Sequence, residues 1–275
     1  MRSGIILLLL LPGICNCQKW SAEIMTGVTS YNGDLTQKDI SFTRMRPAVN
    51  LNVHYNSGDF LNFRAGVYYG QIGADDKNNA NKGLIDRNLN FKSDLIEVNF
   101  CLEFNLFDPE VYSKYPYFFI GAGLFHFNPY TFDKDNKRIF LQPLGTEGQG
   151  LQEYPGRKEY SLTQFCIPFG VGWKINYKKK IQISYEFGNR FLFTDYLDDV
   201  SKTYAAPEIL GLKKGPKTAE LSYRKNIPFN ELNEPRGNNK VRDYYFFSGI
   251  KFSFKLGKDR TKKKSTETEK EEEKK

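Results

Sequence analysis

The sequence is poor in the residues on which most catalytic and metal sites depend. Its 275 residues include 2 histidines, 4 cysteines and 3 methionines. It has no CxxC pair, no Cys/His cluster, and no GxSxG, HExxH or glycine-rich phosphate-loop motif. These absences exclude a zinc finger, a disulfide-dense scaffold and the motif-bearing hydrolases. We predict no cofactor, no metal site and no nucleic-acid partner.

Long apolar runs are also scarce. One run, residues 5–11, follows Arg2, ends at Pro12-Gly13, and is about half of the roughly 20 residues that a spanning helix needs. With Cys15-Asn16-Cys17 before a cut at Gln18, it predicts a secretory signal peptide over residues 1–17. A membrane anchor and a lipoprotein are the lesser alternatives.

Aromatic residues, in contrast, make up 15% of the chain, which argues against disorder. Apolar residues recur with a period of two: Ile96, Val98 and Phe100 alternate with Glu97 and Asn99. Eight such segments predict an all-β fold, an eight-stranded antiparallel transmembrane barrel over residues 18–256. The segments are residues 20–31, 47–55, 60–73, 95–106, 115–127, 164–177, 181–193 and 244–256.

The connections between these segments alternate in length. Short links at 56–59, 108–114 and 177–179 separate long ones at 32–46, 74–92, 128–160 and 194–242. Outer-membrane barrels have short periplasmic turns and long external loops, so both termini are expected in the periplasm of an outer-membrane protein. Residues 257–275 hold no apolar residue and predict a disordered, charged periplasmic tail.

The less bulky face of the strands is charged, and this decides between two kinds of barrel. A soluble, lipocalin-like barrel would not bury so many charges in an apolar ligand site, whereas a small membrane barrel has a polar, paired core. We therefore predict a lumen charge network that fills the interior and leaves no wide channel. Its members are Glu23, Arg64, Glu97, Glu103, Lys174, Glu186, Arg190 and Lys251.

Aromatic residues near the short-turn ends suit an interfacial girdle facing lipid. The predicted members are Trp20, Tyr55, Tyr115, Tyr117, Trp173 and Tyr177. In the last strand, Gly249, Phe252 and Phe254 resemble the signal read by the barrel assembly machinery, an expected partner. Lysines at the two lipid-facing phenylalanines should abolish the barrel, whereas Lys251→Ser with Ser253→Asn should be tolerated.

Two alternative functions remain open from the residues. His126, at the long-loop end of the fifth strand, could serve an outer-membrane lipid-modifying enzyme, but no Ser lies beside it and a base needs a partner within reach. A small passive porin is the other alternative.

Cys101 and Cys166 face inward with a strand between them, which disfavours a disulfide. His54 lies on the polar face of the second strand.

The long loops contain distinctive words, including Thr194-Asp195-Tyr196-Leu197-Asp198-Asp199-Val200-Ser201. The aspartates Asp195, Asp198 and Asp199 are expected to form turns or helix caps, with a calcium site as the lesser alternative. A second word is Thr146-Glu147-Gly148-Gln149-Gly150, and a third is Tyr31-Asn32-Gly33-Asp34. Residues 87–91 leading into Ser93 and Glu97, and Pro116-Tyr117-Phe118-Phe119-Ile120-Gly121, complete the set.

In these words the chain resembles the PorG-like family, outer-membrane barrels of the type IX secretion system of Bacteroidetes. The resemblance runs from about Trp20 to Leu256 and does not include the tail. It implies a non-enzymatic component of a secretion and gliding machine that associates with a periplasmic ring and ties it to the outer membrane. It carries no catalytic residue. The even number of strands and the alternation of loop lengths place the loop words outside the cell. There they either fold over the barrel mouth or contact the translocon or its cargo.

Overall fold

The structure, a computed structural model, describes residues 19–36, 44–178, 180–230 and 234–256. The predicted signal peptide, residues 1–17, and the predicted tail, residues 257–275, lie outside these described residues.

Eight long antiparallel strands close into a barrel. Consecutive strands pair with each other, and the ring is completed where the first long strand, β1, pairs with the last, β10. The strands are β1 (Trp20–Asn32), β2 (Arg46–Asn56), β3 (Leu61–Asp75), β4 (Asn90–Asn105), β5 (Lys114–Phe127), β8 (Thr163–Lys178), β9 (Ile181–Leu192) and β10 (Tyr244–Lys255). The prediction of an eight-stranded antiparallel barrel is confirmed.

The long connections carry secondary structure that the alternation did not predict. A small hairpin, β6 (Tyr130–Phe132) and β7 (Arg138–Phe140), continues the wall beyond β5 and pairs with β4. Three helices, α1 (Lys82–Arg87), α2 (Pro207–Lys214) and α3 (Pro216–Ser222), lie in the two loops on either side. In the parts of the chain that the structure describes, no helix has both the length and the apolar character to cross a membrane.

The strand pleat separates an apolar exterior from a polar interior. Along β4, Ile96, Val98 and Phe100 are half exposed, whereas Glu97 and Asn99 are buried. Strands of 11–16 residues equal or exceed the about 9–11 that cross a bilayer, so they are long enough to span a membrane. Closure pairs the backbone groups that an open sheet edge would leave in lipid.

The prediction of the aromatic girdle is wrong for two of its six members. Trp20, Trp173 and Tyr177 are exposed on the outer face. Tyr115 and Tyr117 instead point into the lumen, where both are nearly fully buried. They share the inward face of β5 with Gly121 and Gly123, whose missing side chains leave room for the sulfurs of Cys101 and Cys166.

The closing seam depends on a pair of glycines. Gly27 of β1 lies opposite Gly249 of β10. A Cβ at Gly27 would lie 2.0 Å from the carbonyl oxygen of Ser248, and one at Gly249 would lie 2.3 Å from that of Thr26. The two strands therefore approach each other more closely than side chains would allow.

The exterior of β10 gives a test of depth in the membrane. Ile250, Phe252 and Phe254 all face outward, at increasing distance from the middle of the strand. We predict that lysine destabilises the barrel most at Ile250, less at Phe252 and least at Phe254, from about 2–4 kcal/mol near the midplane towards 0–1 near the interface. Urea unfolding in lipid vesicles measures the order, and Phe252→Leu is the control. Equal effects at all three positions would contradict this depth assignment.

Candidate functional site: the filled lumen and the loop cap

The eight charges of the predicted lumen network lie together inside the barrel. Each is at most 4% exposed, and each makes at least one ion pair with another member. Four carboxylates face four cations, so the interior is electrically balanced. Such burial is costly unless every charge is paired, and here pairing is complete.

Lys251 and Glu103 form the centre of this network. The Lys251 ammonium donates to Glu103 at 3.0 Å and to Glu186 at 3.3 Å, and lies 3.6 Å from Glu23. Glu103 also accepts from Lys174 at 2.8 Å and lies 2.7 Å from the Arg64 guanidinium. The pairs of Glu103 with Lys251 and with Lys174 cross the lumen between strands that are not neighbours in the sheet, whereas the other pairs join adjacent strands.

A second group lies nearer the long-loop end. Arg190 donates to Glu97 at 3.1 Å, and the Tyr245 hydroxyl donates to the same carboxylate at 2.6 Å. Glu186 and Arg190, four residues apart on β9, thus bind different partners. Above them, Tyr68 packs edge-on against Phe247, and Phe125 stacks on Phe127. This aromatic layer separates the charges from the loops.

Sequence reasoning missed three further members of the network. His54 Nε2 lies 3.3 Å from Glu103 Oε2. The Tyr117 hydroxyl donates to Glu186 at 2.6 Å, and Tyr245 binds Glu97 as described. The inward parity of these residues was available from the alternation, but tyrosine on a barrel strand also fits the lipid interface.

Below the charges, the short-turn end opens into a polar cavity of about 280 Å³. Glu23, His54, Asn105, Lys174 and Gln182 line it. The cavity ends at the ion pairs of Glu103. Charges, aromatic rings and loops follow one another along the lumen.

At the other end, the loop words fold into a cap over the barrel mouth. Glu147 is its centre: the carboxylate accepts from the amides of Ser201 and Lys202, at 2.9 and 3.1 Å, and from the Tyr196 hydroxyl at 3.1 Å. Arg236, from the last loop, lies 3.2 Å from the same carboxylate. Glu147 is fully buried.

Asp199 links the third and fourth long loops. Its carboxylate accepts from Thr146 at 2.5 Å and from Tyr160 at 2.7 Å, while Arg236 donates to its backbone carbonyl at 2.5 Å. Asp199 itself has a φ of 69°, and Gly148 has a φ of 80°. The turns that position these side chains therefore contain residues with left-handed backbone conformation. Glycine adopts this conformation without steric cost, which explains Gly148 in the Thr-Glu-Gly-Gln-Gly word.

The first and second loops join the same cap. Arg87 binds the Asp76 carboxylate through two nitrogens, at 2.7 and 2.8 Å, and donates to the carbonyls of Asp34 and Arg236 at 2.8 and 2.6 Å. The Asp34 carboxylate accepts from the Asn238 amide at 2.9 Å. Words that lie far apart in the chain thus meet in one buried hydrogen-bonded structure.

Four aspartates of the cap are crowded together, and their pKa values rise. Asp198 accepts from the Tyr31 hydroxyl at 2.5 Å, and Asp243 accepts from the Leu197 amide at 2.9 Å. Burial, together with neighbouring carboxylates, raises the pKa of both groups well above the ordinary range. Burial also raises the pKa of Asp195 to about 7 and that of Asp199 to about 6, the latter against the opposing effect of Arg236.

The turn-forming interpretation fits the contacts of Asp198. Asp198 Oδ1 accepts from the Val200 amide at 2.9 Å, an Asx turn. The described residues hold no group of three His, Cys, Asp or Glu side chains placed to bind a metal ion.

His126 lies on the exposed outer face, and its Nδ1 is 3.0 Å from the Thr163 hydroxyl. In the described structure no carboxylate completes an acid–base pair with it, so the enzyme alternative gains nothing from the geometry.

Cys101 and Cys166 are both buried and free. Burial and the strand between them agree with the expectation against a disulfide.

An apolar exterior, a closed ladder and a charge-filled lumen define this protein as an eight-stranded transmembrane β-barrel. The sequence matches the family model described as a domain of unknown function, DUF6089, over residues 3–212. The chain belongs to that family.

Several solved outer-membrane proteins are similar to this chain in fold, at low sequence identity. Neisserial surface protein A is 8% identical with a TM-score of 0.44, over 86% of this chain and 97% of that one. A major outer membrane protein from Thermus thermophilus is 10% identical with a TM-score of 0.42, over 86% and 98%. Ail, the attachment invasion locus protein of Yersinia pestis, is 10% identical with a TM-score of 0.39, over 86% and 99%. No curated protein sequence matches the chain.

The contacts of Lys251 revise the expectation that Lys251→Ser is tolerated. Removing this ammonium leaves Glu23, Glu103 and Glu186 without a shared cation. We predict that Lys251→Met lowers the free energy of unfolding by about 3–5 kcal/mol, as for other broken buried pairs. Urea unfolding in lipid vesicles measures the change. Lys255→Met, on an exposed residue of the same strand, is the matched control, and equal small effects would refute the role of Lys251.

The cap should become more stable as the pH falls. An aspartate whose pKa is raised by folding contributes stability that is present below its ordinary pKa of 3.8 and lost as the pH rises through about 6 for Asp199 and 7 for Asp195. For Asp199 the difference reaches roughly 3 kcal/mol. We expect a higher urea midpoint at pH 5 than at pH 8, with a smaller difference in Asp195→Asn. The exposed Asp86→Asn serves as the control; a midpoint that rises with pH would contradict the assignment.

Proposed function

We propose that this barrel is a non-enzymatic outer-membrane component of the type IX protein secretion machinery, and of gliding where the cell glides. In this proposal it stabilises the periplasmic ring at the outer membrane. Support comes from the PorG-like loop words together with one structural observation: those words form a buried cap over a lumen already filled by paired charges.

That observation favours a scaffold over a transporter or an enzyme. Glu147, Asp198 and Asp199 are at most 1% exposed, so their side chains are not available to a translocon or to cargo. The words are instead accounted for by the folding of the cap. A rigid, closed barrel offers anchorage to the membrane, which is what a ring-holding component requires.

The proposed orientation puts the cap outside the cell and the polar cavity in the periplasm. The short turns that follow β2, β4 and β8, and both termini, would then face the ring. The barrel assembly machinery is the proposed partner during insertion, acting on the last strand, whose Phe252 and Phe254 face lipid.

Deletion of the protein should abolish or strongly reduce secretion of type IX cargo, and the wild-type chain should restore it. Affinity purification from gently solubilised outer membranes should recover periplasmic ring proteins. An impermeant maleimide should label Lys240→Cys on whole cells but not Lys180→Cys, which tests orientation separately. Normal cargo secretion in the deletion strain would sink the proposal, and the reverse labelling would overturn the orientation.

A further inference from the structure

Three cations surround Gln71 and Tyr130, at the long-loop ends of β2 and β4 and on the hairpin β6–β7. They are Arg46, Lys92 and Arg138. The Arg46 guanidinium donates to the Gln71 side chain at 2.9 Å, and the Arg138 guanidinium lies 4.2 Å from the centre of the Tyr130 ring. We call Arg46, Lys92 and Arg138, with Gln71 and Tyr130 between them, the rim cluster.

The rim cluster is held in place by neutral side chains and by the Asp94 carboxylate beside it. The Gln71 amide lies 3.4 Å from the Tyr130 hydroxyl, which connects Arg46 to Arg138. Lys92 is the register partner of Tyr130, and its ammonium lies 5.3 Å from the centre of the Phe132 ring. The nearby Asp94 carboxylate accepts from Gln71 at 2.8 Å.

The rim cluster differs in pairing from the cations inside the barrel. Within the described ranges, none of its three cations makes an ion pair, whereas all four lumen cations do. The three cations outnumber the Asp94 carboxylate beside them, so the rim cluster keeps a net positive charge that suits an anion. Guanidinium groups bind phosphate through paired hydrogen bonds.

The position of the rim cluster relative to the apolar band indicates which kind of anion it binds. Tyr69 and Ile96 belong to the exposed apolar band. Gln71 and Asp94 are the next outward residues on the same strands, so the cluster begins where the apolar band ends. A lipid headgroup lies at this level when the acyl chains contact the band.

The hairpin β6–β7 extends the same wall farther from the membrane. Phe132 and Phe140 are 37% and 42% exposed there, beside Lys92 and Arg138. The surface formed by the rim cluster and the hairpin extends farther along the barrel wall than one phosphate group does. It also places apolar side chains next to cations. A phosphate attached to a bulky sugar headgroup matches both features better than a small phospholipid headgroup does.

We propose that the rim cluster binds the phosphate of a phosphorylated glycolipid in the outer leaflet. The inference rests on the proposed orientation of the barrel, but not on a role in secretion. Arg46 and Arg138 contact the phosphate oxygens, Lys92 adds a third charge, and Phe132 and Phe140 contact the sugar.

Native mass spectrometry of the full-length protein in detergent, titrated with diphosphoryl lipid A, tests this directly. The variant Arg46→Gln/Lys92→Gln/Arg138→Gln should bind at least about tenfold more weakly than wild type, because charge-assisted hydrogen bonds are lost. The control Lys82→Gln/Lys158→Gln/Lys240→Gln removes the same charge from exposed loop positions and should bind normally. Arg46→Lys/Arg138→Lys should retain much of the affinity, and a heat-modifiable band confirms that each variant is folded.

Two comparisons with other lipids complete the experiment. Dephosphorylated lipid A should bind poorly to wild type. Phosphatidylglycerol should bind more weakly than lipid A, and equal binding of the two would overturn the assignment to a glycolipid. Equal binding of diphosphoryl lipid A by wild type and the rim-cluster variant would overturn the site itself. Cargo secretion and maleimide labelling are read out separately, so failure here is distinguishable from failure of the proposed function.

Discussion

The energetic constraint on this barrel is the burial of eight charges in a lumen from which water is largely excluded. Desolvation makes each charge costly, and only mutual pairing offsets that cost. Glu103 therefore needs Lys174, Arg64 and Lys251 at once, each from a different strand. Strand register, strand order and closure must all be correct for these contacts to form, so the network favours a single arrangement of the sheet.

The cap also depends on pairing a buried charge, but most of the partners there are different groups. Its centre, Glu147, is satisfied largely by backbone amides and by one arginine from a distant loop. Because Arg87 and Arg236 reach across loops that are far apart in sequence, the loops are held as one unit. A filled lumen and a fixed cap together make the described barrel a closely connected body.

The strands were predictable from sequence because a two-residue period records which face each residue occupies. The same parity was sufficient to identify all eight lumen charges, although it could not identify their partners across the barrel. Tyr115 and Tyr117 were misassigned because tyrosine suits both a lipid interface and a hydrogen-bonded core. Folding of the loop words over the mouth was only one of two alternatives from sequence, and the contacts within the cap could not be derived. Contacts such as that of Thr146 with Asp199 depend on left-handed turns and on the approach of separate loops.

The position of Lys251 on the final strand has a consequence for biogenesis. Until β10 is in place, Glu23, Glu103 and Glu186 share no ammonium group, and the edges of β1 and β9 have no partner. A truncated or stalled chain is thus penalised both by uncompensated carboxylates and by unpaired backbone. Because Lys251 is synthesised after every other member of the charge network, the charges of the interior are balanced only once β10 has been added.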